Sequence, residues 1–360
     1  MRPVLLFLTC AAFALTACGG DDASDSSEKT PAASKEAATD LAAIKTYLLD
    51  HTQRLSGDVA TMKENAQQYH DLAEQSGFDT KKMLADNQEE VAKLLADAKK
   101  TYSAANPAYE EMEGVVAGVP SLADYDVIID AGSDASDPES AVPFSIKTED
   151  GKTYKQPGNL FFLAESALYG TEPKWSTKAD VNGDGKVAFG EALPDPRFYL
   201  AALEEFDKQA KDLDASAKEW APTEQDALTA LVVMTPTMSE YFEAWKNSRF
   251  IAGDKATEKA FVSSSRLQDI ADILGGLKLV YANVQPKIAE ADAEQADQTG
   301  HSLTELEAYV ARLRDQEAGG KRFTAEDADT LGGEAQDRAE AIAGQITQAA
   351  QQLNIELQEA

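Results

Sequence analysis

The feature that most constrains this chain is a long apolar stripe near its C-terminal third. Leu267, Ile270, Leu274, Leu277, Tyr281, Val284 and Ile288 recur at alternating steps of three and four. That spacing puts all seven side chains on one face of an α-helix and cannot line one face of a strand. The stripe predicts a core helix over 267–285, stopped by Pro286. The same period recurs at Leu84, Val91, Leu95, Ala98 and Tyr102, and again at Leu303, Leu306, Val310 and Leu313. Helices that each bury one face must pack on one another, so the expectation is an all-α chain built of bundles. Period-two alternation is scarce. It is confined to Phe144–Tyr154, where Glu149, Asp150, Gly151 and Lys152 can turn a small hairpin. Residues 114–197 are the irregular part, rich in Gly, Pro and Asp, and such long insertions in bundles usually carry function.

The N-terminus reads differently from the body. Arg2 precedes an apolar run from Val4 to Leu15, too short to span a bilayer as a helix and of signal-peptide length. The run ends in Leu15-Thr16-Ala17-Cys18, followed by Gly19-Gly20, which looks like a bacterial lipobox. The expectation is a signal peptide at 1–17, lipidation of Cys18 and a flexible tether over 18–39. The folded domain then covers 40–355. Cys10 leaves with the signal and Cys18 carries lipid, so neither serves as a nucleophile, disulfide partner or metal ligand. This places the protein in the cell envelope, attached through its lipid alone and facing the periplasm, at the outer membrane if the cell is Gram-negative. The 63 acidic and 33 basic residues give a formal net charge of −30. Nucleic acid and anionic lipid surfaces are poor partners for such a chain, whereas cations and basic partners suit it.

Residues 180–191 read D-V-N-G-D-G-K-V-A-F-G-E. This matches the twelve-residue EF-hand loop: Asp180, Asn182 and Asp184 at positions one, three and five, Gly185 at the sharp turn, the Lys186 carbonyl at seven and Glu191 at twelve. Six or more hard oxygens point to calcium. Pro194 and Pro196 follow closely, so an exit helix has room for only one turn. A lone loop of this kind, without a paired second loop, reads as a structural staple rather than a sensor.

A quieter constellation surrounds this loop in the sequence. Asn106-Pro107 has the form of a helix start, a capping Asn before Pro at the first helical position. Glu110 and Glu113 then share one helix face. Asn159 to Tyr169 forms an apolar helix stopped by Gly170, and Glu165 is its single charge. A carboxylate in that stripe must be paired, hydrogen-bonded or metal-bound, or else sit at a rim and reach water or an arginine.

These segments carry a resemblance. Tyr109-Glu110-Glu111-Met112-Glu113 is similar to the Y-E-x-I-E helix of the imelysin and EfeO-type periplasmic proteins, and Ile129-Asp130 to the I-D that follows it. Phe162 to Gly170 resembles their H-A-I-E-x-L-L-F-G segment. Ser265-Arg266-Leu267-Gln268-Asp269, with Leu277 to Tyr281, resembles their late S-R-L-x-D helix. The resemblance runs in order through residues 40–355. It implies an imelysin-like double helical bundle, into which the irregular segment with the calcium loop is inserted, and a metal site between helices. Members are linked to iron uptake, and some are catalogued as peptidases. Glu110, Glu113, Asp130 and Glu165 match the family's ligands. The family's histidine does not carry over: Phe162 stands there, and His51, His70 and His301 lie outside these segments. An oxygen-only set suits calcium, manganese or ferric iron rather than zinc or copper.

Two functional readings follow. One is a lipoprotein that captures a cation or metal complex for a membrane transporter or other envelope protein. The other is a calcium-stapled scaffold whose metal site is degenerate. An enzyme is the weakest reading. The sequence has no H-E-x-x-H, no Gly-rich phosphate loop and no nucleophile elbow. Glu110 and Glu113 sit too close on one helix for opposed glycosidase carboxylates.

Overall fold

The computed structural model describes residues 38–133 and 142–358. The signal segment, Cys18 and nearly all of the tether lie outside the described residues. In chain order the helices are α1 Leu41–Gln75, α2 Thr80–Val116 and the short α3 Ala123–Asp126, which runs into a π-helical turn at Val127–Ala131. A hairpin of β1 Ser145–Lys147 and β2 Thr153–Lys155 precedes α4 Leu160–Tyr169. A second antiparallel pair, β3 Ser176–Lys178 and β4 Ala192–Pro194, flanks residues 179–191. Then come α5 Pro196–Glu219, α6 Glu224–Met234, α7 Met238–Asn247, the single turn α8 Arg249–Ala252, α9 Arg266–Ala291, α10 Ala293–Ala318 and α11 Ala325–Gln352. No helix among the described residues is long and apolar enough to cross a membrane.

The all-α expectation holds. Helix α1 packs lengthwise on α2 and α5, with α4 against α5. A second group forms from α9 with α10, and from α11 with α7 and α6. Helix α2 packs directly on α9, and this seam joins the two groups. The stripes behave as read: Leu267, Ile270, Leu274, Leu277, Val284 and Ile288 are at most 1% exposed, and Leu303, Leu306 and Val310 are fully buried. Close contact along the seam depends on small residues. A Cβ on Gly276 would sit 2.2 Å from the Glu111 carbonyl oxygen, so only glycine lets α9 approach α2 that closely.

Two expectations about proline are corrected. Asn106-Pro107 does not begin a helix: α2, capped at Asp79 by acceptance from the Lys81 and Lys82 amides, kinks at the non-helical Asn87 (φ −136°) and then passes through Pro107 without a break. The Asn106 side chain donates to Asp269 instead. Pro286 likewise does not stop α9, which continues to Ala291. A proline inside a helix costs about 3 kcal/mol, yet the buried side chains beyond each one, such as Tyr109 and Met112 or Ile288, stabilise by comparable amounts apiece. Tertiary packing therefore carries both helices through. The hairpin expectation holds, with Ser145 opposite Lys155, Ile146 opposite Tyr154 and Lys147 opposite Thr153.

The flanks of the twelve-residue loop also differ from expectation. No exit helix follows Glu191. Ala192–Pro194 is instead a buried strand paired with Ser176–Lys178. Asp195 caps α5 and Pro196 occupies its first turn, which leaves no room for a helical turn between. The loop is thus held by a two-strand stem rather than by two helices.

Candidate metal centre

The α2–α9 seam carries the site. Glu110 and Glu113, one turn apart on α2, are 0% and 3% exposed. Asp130, 5% exposed, comes from the π-helical turn, a wide turn of the kind often found at functional sites. Its backbone carbonyl accepts from Asn159 Nδ2, while Asn159 Oδ1 caps α4 by accepting from the Phe162 amide at 2.7 Å. One side chain thus fixes the turn against α4. Ligand oxygens of Glu110, Glu113 and Asp130 all lie within 4.8 Å of one another. Among the described residues no other group of three or more His, Cys, Asp or Glu side chains converges in this way.

The surroundings are richer than the sequence suggested. Arg266 and Asp269 at the start of α9 complete the buried cluster. Arg266 Nη1 donates to both Glu110 carboxylate oxygens and to Asp269 Oδ2, each at 3.3 Å. Its guanidinium lies over the rings of Tyr241 (4.5 Å) and Phe261 (4.2 Å). Asp126, one turn before Asp130, accepts from Tyr109 Oη at 2.6 Å. Tyr241 Oη donates to Glu113 Oε1 at 2.9 Å, but Glu113 Oε2 and Arg266 Nε have no partner among the described residues. A cleft of about 410 Å³ opens on Glu113, Asp126, Asp130, Phe162, Tyr241 and Arg266.

Electrostatics follow from crowding. Burial pushes the Asp130 carboxyl up to about 7, with the Glu113 charge adding to the shift. Glu110 is raised well above the usual range by burial and then by Asp269, with Arg266 opposing. Burial and Glu113 raise Asp126 in the same way. Asp269 is raised by burial, with Arg266 pulling back. Several acids share one arginine here, and a cation would favour the ionised forms.

Of the four acids read from the sequence, three converge and the fourth stands apart. Glu165, 1% exposed, spends Oε1 on the amides of Val262 (3.0 Å) and Ser263 (2.9 Å) and on Ser263 Oγ (2.7 Å). It neither reaches water at a rim nor pairs with an arginine. Burial pushes it up to about 7 even though those hydrogen bonds favour the charged form. Phe162 lines the cleft where the resemblance expected histidine. His51 lies beyond the cleft, with Nε2 2.7 Å from Glu111 Oε2. Asp126, Tyr241, Arg266 and Asp269 were not read as site residues. The i, i+4 spacing of Asp126 and Asp130 and the S-R-L-x-D segment were their available signals.

The 180–191 loop forms a separate arrangement. Asp180 accepts from the Gly183 and Gly185 amides, Asn182 from Asp184, Asp184 from Lys186, and Glu191 from Asn182 and Ala188. Gly185 has φ +84°, which the turn at position six needs. The loop amides hold each candidate ligand and leave further lone pairs on every carboxylate. The donor set is all oxygen, as calcium prefers, but the Asp180, Asp184 and Glu191 carboxylates do not all come within 4.8 Å of one another in this structure. Val187 and Phe189 are each 52% exposed, and the Arg249 guanidinium lies 3.6 Å from the centre of the Phe189 ring.

A family model described as imelysin, under the peptidase M75 label, matches residues 63–355, well over half of the chain. The chain belongs to the imelysin family. Among curated proteins no sequence matches it. The imelysin match spans α2, the π-helical turn, α4 and α9, the elements that build the acidic cluster.

Proposed function

We propose that this imelysin-family protein binds a hard cation, manganese or ferric iron or a complex of one, in the α2–α9 cleft. Glu110, Glu113 and Asp130 would supply the ligands. The bound species would pass to a membrane transporter or another envelope protein in an iron-type uptake role. Attachment through Cys18 would hold the domain at the cell envelope, and calcium in the 180–191 loop would brace the segment beside the site. The observation that carries the reading is three buried carboxylates within 4.8 Å, with a free Glu113 Oε2 and one arginine as countercharge. Binding rather than catalysis is favoured because no imidazole lines this cleft to move a proton or hold a borderline metal.

One observation favours the scaffold alternative: Arg266 already neutralises Glu110, as an occupied cation position would. The test is a manganese and ferric titration with the calcium loop disabled by Asp180→Ala. Tight binding that is lost in Glu113→Gln supports the cation reading. Absence of binding in the parent leaves the scaffold as the function.

A further inference from the structure

The sequence resemblance implies a ligand at Glu165, yet the geometry of its hydrogen bonds is that of a clasp. Residues 256–265 connect the turn after α8 to α9 without regular structure. Near its start the Thr257 and Glu258 amides donate to the Asn247 carbonyl at 3.1 Å. In the middle the Lys259 carbonyl accepts from Thr171 Oγ1 at 2.8 Å. Close to its end, the Val262 and Ser263 amides and the Ser263 hydroxyl converge on one oxygen, Glu165 Oε1. Glu258, Ala260 and Phe261 of this segment form one wall of the acidic cleft. Phe261 has φ +52°, a left-handed backbone that strains any residue with a Cβ. Its ring presses on Arg266, which holds Glu110. A continuous chain of contacts therefore runs from Glu165 through Val262 and Phe261 to Arg266 and the ligand triad.

We infer that Glu165 is a positioning residue: it latches residues 256–265 over the cleft, and the latched segment governs how fast a cation enters and leaves. The strained Phe261 is the outlier that points this way, because strain persists only where the surroundings over-determine it. Three donors on one buried oxygen supply that constraint. When the latch is broken, Phe261 relaxes, its ring leaves Arg266, and the cleft opens on the side of α7 and α9. The inference rests on the cation reading of the cleft, but the latch itself is testable without a cation.

The experiment uses the full-length chain carrying Asp180→Ala, which disables the 180–191 loop, and compares this parent with its Glu165→Ala, Glu165→Gln and Phe261→Gly variants by amide hydrogen exchange and by stopped-flow manganese release into a chelator. In Glu165→Ala the Val262 and Ser263 amides lose protection by about tenfold or more. Glu165→Gln keeps a carbonyl acceptor and retains most of that protection. Manganese association and release both accelerate by about tenfold in Glu165→Ala and in Phe261→Gly, so the dissociation constant, their ratio, stays unchanged. Glycine adopts φ +52° freely, so Phe261→Gly removes the covering ring while leaving the latch able to form. Unchanged protection in Glu165→Ala overturns the latch. Loss of manganese affinity in Glu165→Ala, with protection intact and Phe261→Gly kinetics unchanged, makes Glu165 a ligand instead. If the Asp180→Ala parent binds no manganese, the cation reading falls and the release role with it, while amide exchange still decides the latch.

Discussion

The buried acids set a measurable pH dependence, and Asp130→Asn isolates it. In the folded chain the Asp130 carboxyl is pushed from 3.8 up to about 7 by burial and then by Glu113. The folded state therefore holds a proton that the unfolded state releases. A raised folded value contributes stability that is fully present below the unfolded value and is lost as pH rises through the folded one. A shift of roughly three units corresponds to about 4 kcal/mol over the full window, of which about 3 kcal/mol falls between about pH 5 and about pH 9. Glu110 and Asp126 are raised in the same cluster and readjust when Asp130 is neutralised, so the single substitution recovers part of this slope, on the order of 2 kcal/mol. The assay is urea denaturation of metal-free protein at those two pH values. Wild type loses stability on going from acid to base, and Asp130→Asn loses about 2 kcal/mol less. With the 180–191 loop disabled by Asp180→Ala in both proteins, manganese added at the higher pH restores the parent by about 2.7 kcal/mol at a hundredfold excess over its dissociation constant, but not Asp130→Asn. Parallel pH slopes for the two proteins would refute the argument, because Asp130 would then be ionised in the fold without cost.

Three further outcomes are expected. Calcium raises the melting temperature of the full chain, and Glu191→Gln abolishes the shift, since Glu191 supplies two of the loop's oxygens; a melting temperature indifferent to millimolar calcium defeats that reading. Phe162→His, made with Asp180→Ala, adds an imidazole to the cleft wall and should bring measurable zinc or copper affinity, checked by calorimetry; no gain means residue 162 is too far from the ligands to join them. Cys18→Ala shifts the protein from the membrane to the soluble fraction of its host, and a wild type already in the soluble fraction contradicts lipid attachment.

Much of the architecture was legible because helix formation is written locally. The three-and-four spacing of Leu267 to Ile288 needs no knowledge of the partner helix, and the Asn159 cap and Gly170 stop bound α4 from within a dozen residues. Glu110, Glu113, Glu165 and the EF-hand spacing were readable for the same reason, whereas Asp130 was reached only through the imelysin resemblance. Where proline was concerned, local reading failed: Pro107 and Pro286 sit inside helices because burial on both sides outweighs one lost hydrogen bond. The stem of the 180–191 loop was also illegible, since three-residue strands have no period of their own and form only by pairing across the loop. The roles of the acids required the fold. Arg266 meets Glu110 across a separation of 156 residues, and Glu165 meets Ser263 across 98. Sequence determined which segments are helical and which side chains carry charge. Tertiary packing decided which charges share a low-dielectric cleft, and hence that three of those carboxylates crowd together while the fourth is held by backbone amides.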